Sequence, residues 1–230
     1  MNASELVMEE ELIEEYIYRF YDKSKKDSEP IMDGIVDVEK YRKSKLKICW
    51  ILKEPYCEGD GTGGGWSLTK DILLKKDFNP GKSPTWQPMI YVTYSLLNNF
   101  IDYSNMDFIR DDPKMSNSLK SIAFINVNKM PGYTRSNDID IAKKYQEWRP
   151  LLHWQLKIYD PQILIFGHTF KHFQKDLGIK NKEIKNDFYV LKNNKIYIHA
   201  YHPAQTQITR DDYVQGIIDV VKNNIGTISQ

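Results

Sequence analysis

The stretch KLKICWILKEPYCEGDGTGGGW, residues 45–66, decides the fold. Lys45–Leu52 reads as a strand buried on both faces, because Ile48, Cys49, Trp50, Ile51 and Leu52 form an unbroken apolar run. Glu54-Pro55 ends it, since proline has no N–H to donate to a ladder. The strand therefore delivers Glu54 to a loop. Within Cys57–Trp66 that loop carries five glycines in ten residues, the residue of choice where a backbone turns tightly or approaches a ligand closely.

Working outward, residues 4–22 place Leu6, Leu12, Ile13, Tyr16, Ile17 and Phe20 at three- and four-residue steps, which predicts an amphipathic helix with Ser4 as N-cap. KSKKDSEP (23–30) and MDG (32–34) read as turns. A helix is expected over 86–100 and a strand over 119–127, followed by the loop NKMPGYT (128–134). Residues 140–159 read as a long helix interrupted or kinked at Pro150, and QILIFG (162–167) as the next strand. A helix over 168–177, strands at 188–191 and 195–200 around Asn193-Asn194, and a terminal helix over 211–224 complete the chain. Strands alternating with helices predict a single domain over residues 1–230, a three-layer α/β/α sandwich with a mostly parallel central sheet. In such sheets ligands sit off the carboxyl ends of the strands. Four polar segments fall there: Glu54 onward, Asn126 onward, Gly167-His168 and His202-Pro203.

Composition narrows the function classes. The 230 residues hold 32 Lys plus Arg against 31 Asp plus Glu, a net charge of +1, so any basic surface must be local. Two cysteines, Cys49 and Cys57, are too few for a four-cysteine zinc site or a cysteine-held iron–sulfur cluster. The acidic N-terminus does not read as a signal peptide, and no apolar run approaches the roughly 20 residues that span a bilayer. The expectation is a cytoplasmic protein with reduced thiols, without a membrane partner, and monomeric.

Several motifs are ruled out by their residues. The glycine loop is not followed by the Lys-Ser/Thr of a P-loop, and GDGTGG (59–64), though it fits G-x-G-x-x-G, lacks the helix opening of a dinucleotide site. There is no serine-hydrolase elbow and no H-E-x-x-H. His168 and His172 stand four apart on an expected helix, but no third ligand follows at a recognisable spacing, so no metal site is expected. Cys57 has the acidic neighbour Glu58, which opposes thiolate formation.

The remaining candidates each carry two readings. Glu54 is either a loop cap or a base that orients water. His202 is either an ordinary loop histidine or a donor to a developing anion. Asn126 either caps a turn or reads the polar edge of a nucleobase with its amide. Trp66 and Tyr56 either close the loop onto the core or stack on a planar ring.

Taken in order, ILKEPYCEGDGTGGGWS, FINVNKMPG, EWRPLLHWQLKIYDPQILIFG and IHAYHPAQT resemble four segments of the uracil-DNA glycosylase superfamily. The first is similar to the water-activating loop, the second to the uracil-reading Asn segment of the thermostable iron–sulfur branch, and the fourth to the His-Pro loop. The four cysteines of that branch are absent, so the resemblance implies no cofactor and no metal. It implies a uracil-DNA glycosylase-like fold and a DNA base-excision glycosylase that hydrolyses the N-glycosidic bond of uracil or a related damaged base. Glu54 and His202 would be catalytic, with Tyr56, Trp66 and Asn126 holding the flipped base. Lys129, Arg135, Gln205, Ile208 and Arg210 would contact DNA, Gln205 or Ile208 filling the vacated stack. Two other readings share these residues: a non-catalytic nucleic-acid or nucleobase-binding protein on the same scaffold, and a hydrolase of free nucleosides or nucleotides.

Overall fold

A computed structural model describes residues 1–21, 23–24, 27–57, 61–81 and 83–228. Asp22, Glu58 and the first two residues of GDGTGG lie outside them. The described chain builds a mixed six-stranded sheet with helices on both faces. Its strands are β1 (Gly34–Ile35), β2 (Ile48–Leu52), β3 (Ala123–Asn126), β4 (Ile163–Gly167), β5 (Tyr189–Lys192) and β6 (Lys195–Ala200), in the order β1-β3-β2-β4-β6-β5. The four inner strands β3, β2, β4 and β6 are parallel, and the short edges β1 and β5 are antiparallel.

Strand β2 is buried along its whole length, as its apolar run predicts. Ile48, Trp50 and Leu52 enter a core with helices α3 (Trp86–Leu97) and α6 (Arg210–Asn224). Cys49 and Ile51 enter the opposite core with α1 (Ala3–Phe20), α2 (Val38–Lys43), α4 (Asp138–Tyr159) and α5 (Phe170–Phe173). Period-two alternation thus splits one apolar strand between two hydrophobic layers. No described helix is long and apolar enough to cross a membrane.

Local chemistry explains where elements begin and end differently from expectation. Asn2, not Ser4, caps α1, because Asn2 and Glu5 form a reciprocal capping box. MDG, read as a turn, runs into the edge strand β1 at Gly34, too short at two residues to carry a periodicity signal. β3 starts at Ala123, because Pro113–Ser121 turns as a 3₁₀ segment. Helix α4 runs through Pro150 without a break: Pro150 and Gln146, whose carbonyl the proline leaves without a donor, both face solvent. Helix α5 is only four residues long, and His168 precedes it at φ 65, so His168 and His172 do not share a helix. The Asn193-Asn194 hairpin forms as expected, both residues left-handed at φ 52 and 56.

A polar network is embedded beneath β3. Lys129 and Asp33 are wholly buried, with Lys129 Nζ 2.8 Å from both Asp33 oxygens. Gln155 of α4 bonds both partners and donates to the Tyr159 hydroxyl at 3.2 Å. Tyr159 in turn meets Glu10 of α1, whose Oε2 accepts from the Ile35 N–H at 3.1 Å while its buried Oε1 has no hydrogen-bond partner among the described residues. Burial is the main cause that raises the Glu10 carboxyl from 4.5 to about 7. The folded state therefore binds more protons than the unfolded chain between about pH 4.5 and 7, and stability falls as pH rises through that window. Glu10→Gln is expected to leave stability nearly unchanged at pH 5 and to raise it by about 2–3 kcal/mol at pH 8. Urea unfolding at the two pH values checks this; equal effects at both would remove the buried titration.

Candidate active site at the carboxyl edge of the sheet

From the central strand β2 the chain goes to β3 on one side and to β4 on the other, which makes the carboxyl end of β2 a topological switch point. A cavity of about 970 Å³ lies there. Its lining brings together Glu54, Tyr56 and Trp66 from the loop after β2, Asn126 and Arg135 from β3 and the loop beyond it, and His202 from the loop after β6; the fourth expected segment, Gly167-His168, does not line it.

Glu54 is placed by backbone pairing that continues past the ends of the strands. Leu52 stands opposite Asn126, and the N–H groups of Val127 and Asn128 donate to Leu52 and Lys53 at 2.9 Å. Gly132 then donates to Pro55 at 2.8 Å, and a Cβ on Gly132 would come within 2.7 Å of Glu54 Cδ. Only glycine leaves room there for the carboxylate. Asn128 Nδ2 donates to Glu54 Oε2 at 3.2 Å, which fixes the carboxylate while leaving acceptor capacity.

Asn126 is the last residue of β3 and is 1% exposed. Its backbone N–H donates to Asp33 Oδ2 at 2.7 Å, so the buried Asp33–Lys129 pair holds this corner of the site. Its side-chain Nδ2 is buried with no partner among the described residues. An orphaned amide donor is costly, on the order of 1–3 kcal/mol, unless a ligand or water receives it. Asn126 is also one of the residues that line the cavity.

His202 stands two residues beyond the end of β6, directly before the buried Pro203. Its Nδ1 accepts from the Ala204 N–H at 3.2 Å, which sets the tautomer and leaves Nε2 carrying the proton. Burial lowers its pKa from 6.5 to about 4, with Lys53 and His168 adding positive charge in the same direction. The imidazole is therefore neutral at physiological pH, a hydrogen-bond donor rather than a cation. Gly167, at the end of β4, makes the loop possible: a Cβ there would lie 3.2 Å from Pro203 Cδ and overlap the Leu52 side chain.

Trp66 is half-buried, packed against the core and lining the cavity. Of the two uses expected for the glycines before it, a tight turn and a close approach, Gly63, Gly64 and Gly65 make a close approach to the chain's own segment 27–32. Glu29 N–H donates to Gly63 at 2.8 Å, Gly65 N–H to Pro30 at 3.1 Å and Met32 N–H to Trp66 at 3.0 Å. Gly64, at φ 98, lies so close to the Glu29 carbonyl that any Cβ would overlap it. Sequence reasoning missed Trp86 and Phe124, which also wall the cavity with ring centroids 5.6 Å apart. It missed Asp33 too, which carries no signal beyond being one acid in a turn-like tripeptide.

The expected DNA contacts divide. Lys129 is a correction: fully buried against Asp33 and Gln155, it cannot reach a phosphate. Gln205 is bound into its own turn, its Oε1 accepting from Gln207 and Ile208 N–H and its Nε2 donating to the Ile208 carbonyl, so it does not supply a free wedge. Arg135 is exposed on the cavity rim, Ile208 is 40% exposed, and Arg210 is exposed at the first turn of α6, where it bonds Tyr103. Tyr56 stands at the mouth with 60% of its surface exposed. No protein-family model matches the chain, and a search of curated proteins finds no significant match.

Proposed function

We propose that this protein is a DNA base-excision glycosylase with a uracil-DNA glycosylase-like fold, acting on uracil or a related damaged base. The orphaned amide of Asn126, a residue that lines one cavity with Glu54, Trp66 and His202, carries the reading. A flipped uracil stacks on Trp66 and receives the Asn126 Nδ2–H at a carbonyl oxygen. The bond from C1′ to N1 breaks with its electron pair leaving on the base, and His202 Nε2–H stabilises that charge by a hydrogen bond. Water forms the new bond to C1′ and gives its proton to Glu54. A neutral His202 suits this role, since a donor is needed across physiological pH and none of the steps requires a cation.

A second reading, hydrolysis of a free nucleoside, draws support from the buried Lys129 and the engaged Gln205, which remove two of the expected DNA contacts. Release of uracil from an oligonucleotide and from deoxyuridine, measured side by side, separates the two. The glycosylase reading expects release from the oligonucleotide, with Asn126→Ala reducing it roughly 10²-fold or more, because the buried donor acts on the departing base. Release from deoxyuridine alone favours the second reading, and release from neither contradicts both.

A further inference from the structure

Next to the cavity mouth the structure carries a feature that base excision itself does not use. Tyr133 lines the rim and is 59% exposed, yet its ring is not a free appendage. It rests against Gly61, where a Cβ would come within 2.8 Å of Tyr133 Cε1 and 2.9 Å of Cζ. Gly61 is left-handed at φ 94, and its carbonyl is held by Ser28 Oγ at 3.0 Å. Gly132, the residue before, is paired with Tyr56 across the two loops. The rim therefore presents an aromatic ring that rests against Gly61 with more than half of its surface exposed, and the exposed Arg135 stands two residues along.

We infer that Tyr133 is a stacking platform for an unpaired base of single-stranded DNA, adjacent to the nucleotide that enters the cavity, with Arg135 contacting the strand's backbone. The inference rests on the glycosylase reading of the cavity and names its substrate as single-stranded. Three observations point to a single strand rather than a duplex. A duplex base has both faces covered by its neighbours, so the exposed ring of Tyr133 has nothing to receive. Gln205, bound within its own turn, is not available to fill the gap that a flipped base leaves in a duplex, which leaves the partly exposed Ile208 alone of the two expected fillers. A net charge of +1, with Lys129 buried, gives little to neutralise two phosphate backbones. The cavity, near the top of the roughly 300–1,000 Å³ range of small-molecule sites, has room for more than a lone base.

The test uses fluorescence anisotropy with a labelled 12-nucleotide thymidine strand, free of uracil, and its duplex with adenine, for wild type, Tyr133→Ala and Tyr133→Phe. The expected result is tighter binding of the single strand than of the duplex, weakened about tenfold or more by Tyr133→Ala and preserved within about twofold by Tyr133→Phe. Equal binding of strand and duplex, or a Tyr133→Ala variant that binds as wild type, overturns it. Uracil release by the same proteins separates the two levels. Tyr133-dependent strand binding without release sinks the glycosylase reading and leaves the platform, whereas release without Tyr133-dependent binding does the reverse.

Discussion

Lys129→Met is expected to destabilise the protein by about 3–5 kcal/mol, the range typical when one partner of a buried ion pair is removed. The size follows from the surroundings. Lys129 Nζ and the Asp33 carboxylate are wholly out of solvent, and without the ammonium Asp33 keeps, among the described residues, only the Asn126 N–H and the Gln155 amide as donors. An ionised carboxylate held by two neutral donors in a dry interior is a large uncompensated cost. Adding Asp33→Asn to Lys129→Met removes the charge while keeping an acceptor for Asn126, so the double variant is expected to be more stable than Lys129→Met alone. Urea or thermal unfolding of the two variants measures this. A single variant within about 1 kcal/mol of wild type contradicts the desolvated pair.

The second large effect concerns turnover. Glu54→Gln is expected to lower uracil release by roughly 10²–10⁴-fold, since the amide accepts no proton from water at neutral pH. His202→Ala is expected to cost roughly 10²–10³-fold, the usual loss for one donor aimed at a developing anion. Both variants should fold. Among the described residues, Glu54 accepts a single side-chain hydrogen bond, from Asn128, which a glutamine oxygen replaces, and the His202 ring bonds only the N–H two residues along. A turnover loss with intact unfolding curves therefore reads chemistry rather than collapse.

Much of the fold was legible because its central strand leaves little choice. Five consecutive apolar residues followed by Glu54-Pro55 exclude an amphipathic helix, and both cores grow from the alternating faces of that strand. The carboxyl-end rule then gathers Glu54, Asn126 and His202, which do meet at one cavity. Long-range contacts were not legible. Lys129 looks like a phosphate ligand in FINVNKMPG, and only the chain's return through Asp33 and Gln155 buries it. The glycine run looks like a ligand cradle, but its closest neighbour is Glu29, some thirty residues earlier. β1 is two residues long and exists through pairing with β3, so no local pattern announces it.

The most direct measurement is abasic-site formation on a labelled uracil-containing single strand, by wild type, Glu54→Gln and His202→Ala at the same salt concentration. The glycosylase reading predicts alkaline-labile cleavage at the uracil with wild type, reduced at least roughly 10²-fold in each variant. Folded wild-type protein that leaves both single- and double-stranded uracil substrates intact, or variants that cleave as wild type does, would contradict it.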